Sequence, residues 1–257
     1  MKRYLRALLE ELPHAAAEGY HVFGWRGVYL AMSAFLFRRQ WFPVSLPQFG
    51  VVRSISEATN VLDNFALGEL RSAAVEDHLR NSTDALVVDV GVNVGVTCRW
   101  WLGLSPSVRV IGIDMFQEAL DFTTERMSGP EQLARWHPIC AAVSDHDGEI
   151  EVRFDDPLLG TSRMDASGGR LTRVIPTRTM DQLVAPFAPG RIALLKVDIE
   201  GAAGRALMGA RQTLRRCDYV VVETHSEDET RVSSSALIDA GLCLFRSHGR
   251  TAWWGRN

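Results

Sequence analysis

From residue 84 onward, short β-branched runs alternate with longer segments of helical texture. The runs are ALVVDV (85–90), VRVIGID (108–114), HPICAAV (137–143), RIALLKVD (191–198) and YVVVET (219–224). Helices are predicted between them, at about 95–104, 116–128, 201–216 and 230–240. Alternating strand and helix predicts parallel strands joined by right-handed crossovers, with helices on both faces. Strands that are apolar almost throughout fit a sheet buried on both sides. The tail, LCLFRSHGRTAWW (242–254), reads as two strands joined by a turn at His248-Gly249, an antiparallel hairpin closing a mostly parallel sheet. GEIEVRFDD (148–156) predicts an extra strand, and 157–170 a long polar loop. Residues 1–80 have a different texture and read as a mainly helical extension, with Pro43 and Pro47 ending its second helix. The expected organisation is therefore an extension over 1–80 and an α/β domain over 81–257.

Composition changes this picture little. Apolar residues make up 46% and charged residues 23%, as in an ordinary globular chain, and the net charge of −3 carries no nucleic-acid footprint. The four cysteines, Cys98, Cys140, Cys217 and Cys243, form no C-x-x-C pair, which excludes a zinc knuckle or a disulfide framework. Glu10, Glu11 and Glu18 interrupt any apolar signal core, so a cytoplasmic location is expected. The uncharged stretch Gly27–Phe37 is too short to span a bilayer, which takes about 20 residues. It reads first as a helix packed on the domain or on a second subunit of a homodimer. The sharper alternative is a face touching a membrane or a lipidic substrate.

The candidate chemistry begins at VVDVGVNVGVT (87–97). A carboxylate inside an apolar strand is costly unless it is paired or faces a ligand, and open α/β sheets bind ligands at the carboxyl ends of their strands. Asp89 and Asn93 are therefore expected to face a ligand, with Gly91 and Gly95 allowing tight turns and close approach. The spacing D-x-G-x-N-x-G is not the dinucleotide G-x-G-x-x-G, and no P-loop lysine follows. Asp114, ending the second run, is placed to accept both hydroxyls of a ribose, and Phe116 to lie against an adenine. An adenosine ligand without pyrophosphate fits both halves, namely S-adenosylmethionine. An NAD-binding oxidoreductase and a non-catalytic cofactor-binding subunit are the alternatives. N-methylation of a base or amine is disfavoured, because KVDIEG (196–201) lacks the proline and aromatic residues typical of such enzymes.

Four further stretches, AAVSDHDGEIEV (141–152), TRTMDQL (177–183), LLKVDIEGAAGRALMGA (194–210) and VVVETH (220–225), follow in order. Together with VVDVGVNVG and VIGID, and with RSISEATNVLDNFALGEL (53–70) ahead of them, they resemble the FkbM family of methyltransferases over about residues 50–245. The resemblance implies a class I S-adenosylmethionine-dependent methyltransferase fold, Rossmann-like. It also implies O-methylation of a small hydroxylated acceptor, such as a sugar, glycolipid, polyketide or other secondary metabolite. By position, Asp89, Gly91, Asn93 and Gly95 match the methionine-side loop. Asp114 matches the ribose acceptor, followed by Met115 and Phe116, and Ser144 and Asp145 match neighbours of the adenine. Lys196, Asp198, Glu200 and Gly201 match the motif beside the transferred methyl. Ala202, Ala203 and Gly204 stand where the family often has a second acid, and Asp114-Met115 stands for its usual Glu-Pro.

An alcohol is a poor nucleophile, so a base within reach of its proton helps. His225, just past the fifth run, is the first candidate, with Asp198 and Lys196 beside it; Glu200 and Glu223 are placed toward the acceptor. Asp198, Glu200 and Glu223 could supply oxygen ligands to Mg²⁺, but such a trio also reads as a hydrogen-bonded rim, so no metal is assigned. Trp100 and Trp101 read as core. Trp253 and Trp254 are sent to opposite faces by strand alternation. The loop 157–170 is a candidate lid.

Overall fold

The computed structural model describes residues 11–37, 43–47, 49–158, 169–187 and 190–256. Seven strands form the main sheet: β3 (Ala85–Val90), β4 (Val108–Asp114), β5 (Trp136–Cys140), β9 (Ile192–Val197), β10 (Cys217–Glu223), β11 (Cys243–His248) and β12 (Thr251–Gly255). Their spatial order is β5-β4-β3-β9-β10-β12-β11. All neighbours run parallel except at β12, which is antiparallel to both β10 and β11. This is the mostly parallel sheet with a C-terminal antiparallel hairpin that the sequence predicts, and the class I methyltransferase fold that the resemblance implies. The chain starts at the centre with β3, winds outward through β4 and β5, and resumes at β9 on the other side of β3. That reversal leaves a crevice between the carboxyl ends of β3 and β9, where open α/β sheets hold their ligands.

Every residue of β3 and of β9 is buried, so these runs carry no polar alternation. Their side chains feed two cores. Val87 and Leu194 join Val110, Val221 and Trp253 on one face. Leu86, Val88, Leu195 and Val197 join Ile113, Val222 and Trp254 on the other. Trp253 and Trp254 thus stand on opposite sides of the sheet, as alternation requires.

The N-terminal segment belongs to the first of these cores. It comprises α1 (Leu12–Phe23), α2 (Trp25–Ala31) with a π-helical continuation over Met32–Phe37, strands β1 (Val44–Leu46) and β2 (Gly50–Val52), α3 (Ile55–Val61) and α4 (Ala73–Asn81). Leu30, Phe49, Val61 and Phe65 pack in one cluster with Trp100 and Trp101, which lie on α5 (Val96–Leu104). Phe65 stacks on Trp100 with ring centres 4.5 Å apart. A fully buried ion pair, Arg99 to Glu57 at 2.6 Å, ties α5 to α3. The stretch 27–37 therefore packs on its own chain: Leu30 and Ala31 are inaccessible, and Gly27 meets Gly19 of α1 backbone to backbone. Met32 and Leu36 remain exposed. Among the described residues no helix is long and apolar enough to cross a membrane.

Three predicted elements differ. The run 137–143 is two strands, because β5 ends at Cys140 and β6 (Ala142–Ser144) leaves the main sheet. It joins β7 (Gly148–Phe154) and β8 (Leu171–Thr179) in a separate three-stranded sheet, and β8 is absent from the predicted elements. The helix expected over 201–216 is broken into α8 (Ala203–Met208) and α9 (Arg211–Arg216), α7 being Met180–Val184. A Cβ at Gly209 would overlap the Ser144 carbonyl, so this break lets the elbow pack against β6. Most of the candidate lid, 159–168, lies outside the described residues.

Candidate active site

An open cleft lies at the crevice between β3 and β9. The loop after β3 forms one wall with Gly91 and Asn93, and the end of β4 forms the next with Asp114, Met115 and Phe116. Asp198, Ile199 and Glu200, after β9, close the far end. Ala141, Ala142 and Val143 line the remaining side.

The loop is built on three positive-φ residues, Gly91, Asn93 and Gly95. Asn93 is the one non-glycine residue with positive φ among those described, at 51°. Gly91 has φ 84°, and a Cβ there would overlap the Asp198 carbonyl oxygen. Lys196 holds the same junction. Its ammonium donates to Gly91 O at 2.6 Å, lies 3.1 Å from Asp89 Oδ1 and 3.6 Å from Asp198 Oδ2. Burial would lower its pKa, but the Asp89 and Asp198 carboxylates outweigh burial and hold it above the ordinary lysine range.

Asp114 receives the backbone N–H groups of Asn93 at 3.0 Å and Phe116 at 2.9 Å, one on each carboxylate oxygen. Burial raises its pKa, opposed by those two amides. Each oxygen keeps a further lone pair. Phe116 packs on Phe154 of β7 at 4.8 Å, with the Arg173 guanidinium over both rings at 5.5 and 5.2 Å. Arg173 is itself fixed by a bidentate bond to Glu118 on α6 (Gln117–Glu125), at 2.9 and 2.6 Å.

At the other end of the cleft, acids converge. His225 occupies the turn between β10 and α10 (Glu227–Asp239), with its side chain only 4% exposed. Its Nε2 is 3.3 Å from Glu200 and 3.3 Å from Glu223. Its backbone N–H donates to Glu229 at 2.6 Å. Burial first, then the charges of Asp198 and Glu69, push Glu223 up to about 7. Glu69 comes from the segment before α4 and is raised by burial and by Asp198, against the pull of His248.

The geometry corrects several expectations. Asp89 does not face the ligand crevice: it is fully buried, and its carboxylate is taken by Thr97, by Cys98 at 3.2 Å and by Lys196. A Cβ on Gly95 would overlap Thr123, so that glycine serves helix packing and not ligand approach. Ser144 is buried and bonded to Asp145, and neither lines the cleft; the preceding residues 141–143 do. His225 stands behind Glu200 and Glu223, not at the cleft surface. Sequence reasoning missed Arg173, hidden in the unrecognised β8. It also missed Glu69, which was quoted in 53–70 without a role.

A model of the methyltransferase FkbM domain matches residues 89–249, well over half of the chain. The chain belongs to the FkbM methyltransferase family. As an FkbM methyltransferase it is expected to draw its methyl group from S-adenosylmethionine. The oxidoreductase alternative falls away. No curated protein is similar enough in sequence to count as a relative. Solved structures resemble the FkbM chain only remotely. Precorrin-6y C5,15-methyltransferase from Geobacter metallireducens GS-15 shares 13% identity at a TM-score of 0.41, over 71% of this chain and 84% of that one. Aeropyrum pernix fibrillarin, solved with natively bound S-adenosyl-L-methionine, shares 11% at 0.47, over 80% and 78%. An O-methyltransferase family protein from Burkholderia thailandensis shares 13% at 0.41, over 79% and 59%.

The residues present fit the methyl donor. The Asn93 side-chain oxygen is buried at the cleft wall without a hydrogen-bond partner, a need that a ligand amino group would satisfy. Asp114 offers two oriented lone pairs, and Phe116 an apolar wall.

Proposed function

We propose that this FkbM methyltransferase transfers the methyl of S-adenosylmethionine to a hydroxyl oxygen of a small acceptor, a sugar, glycolipid, polyketide or other secondary metabolite. One observation carries the reading: a single cleft is lined by Asp114, Met115 and Phe116 and also by the acids Asp198 and Glu200. When bound, the donor supplies an electrophilic methyl on a sulfonium whose sulfur leaves as a thioether.

The chain's own residues must then hold and align. Asp114 accepts the ribose hydroxyls, Asn93 takes the amino group, and Phe116 covers the adenine. Gly91 lets the ends of β3 and β9 meet at the cleft, and Lys196 fixes the Gly91 peptide, acting as a positioning residue. Asp198 accepts a hydrogen bond from the acceptor and orients its oxygen along the line of displacement. Glu200 takes the hydroxyl proton as the carbon–oxygen bond forms. His225, 3.3 Å from both Glu200 and Glu223, sets the direction of these carboxylates and is likewise a positioning residue. The exclusion of water falls to the cleft walls.

The test is incubation with S-adenosylmethionine carrying an isotopically labelled methyl and a panel of hydroxylated acceptors, read by mass spectrometry. A labelled methyl ether on one acceptor supports the reading. Donor binding, seen by calorimetry with S-adenosylhomocysteine, without label transfer to any hydroxyl leaves a cofactor-binding subunit instead.

A further inference from the structure

Three side chains from the ends of two adjacent strands bring one potential ligand atom each within 4.8 Å of the others. We propose that Asp198, Glu223 and His225 bind a divalent transition-metal cation of the Mn²⁺ class beside the methyl-donor cleft. The existence of this site stands on geometry alone; only its catalytic role rests on the methyl-transfer reading.

The ligand atoms of these three residues all lie within 4.8 Å of one another. An octahedral cation with bonds of about 2.1 Å sets adjacent ligands roughly 3 Å apart and opposite ones roughly 4.2 Å apart. The 3.3 Å between His225 Nε2 and Glu223 already matches an adjacent pair. A short side-chain rotation of Asp198 completes the set. The Asp198 side chain has room for this, being 37% exposed and held, among the described residues, only by its 3.6 Å contact with Lys196.

A second observation is independent of the acids. The His225 ring is almost wholly buried, and its Nδ1 has no hydrogen-bond partner. Behind it, 4.0 Å from Nδ1, stands the buried carboxylate of Glu229. Glu229 is rigid: it accepts the backbone N–H of His225 at 2.6 Å and that of Ala203 at 2.7 Å, while its own N–H donates to the cap residue Ser226 at 3.1 Å. At 4.0 Å Glu229 is beyond hydrogen-bond reach of Nδ1, but it stands on the side of the ring from which carboxylates orient metal-binding histidines. Charge favours the cation too. Asp198, Glu200 and Glu223 converge where the nearest fixed positive group, Lys196, is spent on Asp89 and Gly91 O. Two carboxylates suit Mn²⁺ and Mg²⁺ alike, but the imidazole favours a transition metal, so Mn²⁺ fits the set better than Mg²⁺, with coordination positions left over. Glu200 keeps its place as proton acceptor at the cleft wall.

Mn²⁺ is the probe, added to chelator-stripped full-length protein. Its free paramagnetic resonance signal is followed as protein is titrated in, and S-adenosylhomocysteine affinity is measured by calorimetry on the same samples. One saturable site per chain is expected, weakened at least about tenfold in Glu223→Gln and in His225→Gln while S-adenosylhomocysteine affinity stays within about twofold. Unsaturable binding, or a site unchanged in both variants, overturns the proposal. S-adenosylhomocysteine that fails to bind wild type, with Mn²⁺ bound as expected, defeats the methyl-transfer reading and leaves the metal site standing.

Discussion

Gly91 is where the two halves of the cleft touch, so replacing it by alanine tests the site's construction directly. The residue has φ 84°, and an added Cβ would overlap the Asp198 carbonyl oxygen, with Asp198 C at 2.9 Å and Ile199 Cγ2 at 3.1 Å. All of these neighbours are backbone or branched side chain, so nothing flexible can yield. Left-handed backbone costs an alanine about 1–2 kcal/mol. The overlap must push the end of β9 away from β3. That strains the Asp198 N–H bond to Val90 O at 3.0 Å and the Lys196 bond to Gly91 O at 2.6 Å. A neutral hydrogen bond is worth about 1 kcal/mol and a charged one about 1.5–3. Gly91→Ala is therefore expected to lose about 4–6 kcal/mol, which in a chain of this size lowers the melting temperature by roughly 10–20 °C. Gly249 supplies the control. It also has positive φ, 56°, but an added Cβ would meet nothing within 4 Å. Gly249→Ala should lose only the conformational part, about 1–2 kcal/mol. Thermal unfolding of both variants, with S-adenosylhomocysteine calorimetry on Gly91→Ala at low temperature, decides the matter. If Gly91→Ala melts within 3 °C of Gly249→Ala and binds like wild type, by ~1 kcal/mol logic the strand-end contact is not what shapes the cleft.

Asp114→Ala should weaken S-adenosylhomocysteine binding at least about tenfold, while His225→Ala leaves binding within about twofold and lowers turnover; equal loss of binding in both refutes the division of roles. Asp63, raised to about 6 chiefly by burial and secondly by Glu69, is a carboxylate whose ionised form the fold disfavours. Its protonated form is stabilising, so stability falls as pH rises from about 4 to 6 and stays reduced above. Asp63→Asn should accordingly gain up to ~3 kcal/mol at pH 8 and nothing at pH 3.5, measured by urea unfolding at both. Glu57→Ala strands the buried Arg99 guanidinium and should cost about 3–5 kcal/mol; a loss under about 1 kcal/mol in urea unfolding shows that the pair is not what docks α3 on α5.

The parts of the fold legible in the sequence are those where burial on both faces leaves an unbroken apolar run. The bounds of β3 and β4 coincide with the runs 85–90 and 108–114 for this reason. The strand β8 escaped because only Ile175 and Thr177 are buried along it, and its LTRVIPTRT pattern carries a proline and exposed charges. The elbow between α8 and α9 escaped because its cause, the Ser144 carbonyl against Gly209, lies 65 residues away in the chain. Asp89 shows the reverse failure. Its oddity in an apolar strand was legible, but the register that sets it opposite Lys196 was not, and a carboxylate paired across two strands looks the same in sequence as one awaiting a ligand.

The same contrast separates the two ends of the cleft. The donor end is built from residues close in sequence: Asp114 and Phe116 bond to each other, and the loop that carries Gly91 and Asn93 immediately follows β3. Such a site must imprint its spacing on the chain, because the turn and the ligand contacts use the same few positions. The acidic end, proposed above to take the acceptor, is assembled from Glu69, from Asp198 and Glu200, and from Glu223 and His225, brought together by the sheet and by the N-terminal segment docked on it. Glu69 is held there by its neighbours, since Trp253 donates to the Glu69 carbonyl at 3.2 Å and Arg246 to the Gly68 carbonyl at 3.0 Å. Both donors lie on the closing hairpin. An acceptor pocket whose walls depend on contacts spanning most of the chain can be remodelled by substitutions in that segment or hairpin without touching the donor loop. On the proposed reading, residues 53–70 with the hairpin are where variants of altered acceptor preference should concentrate.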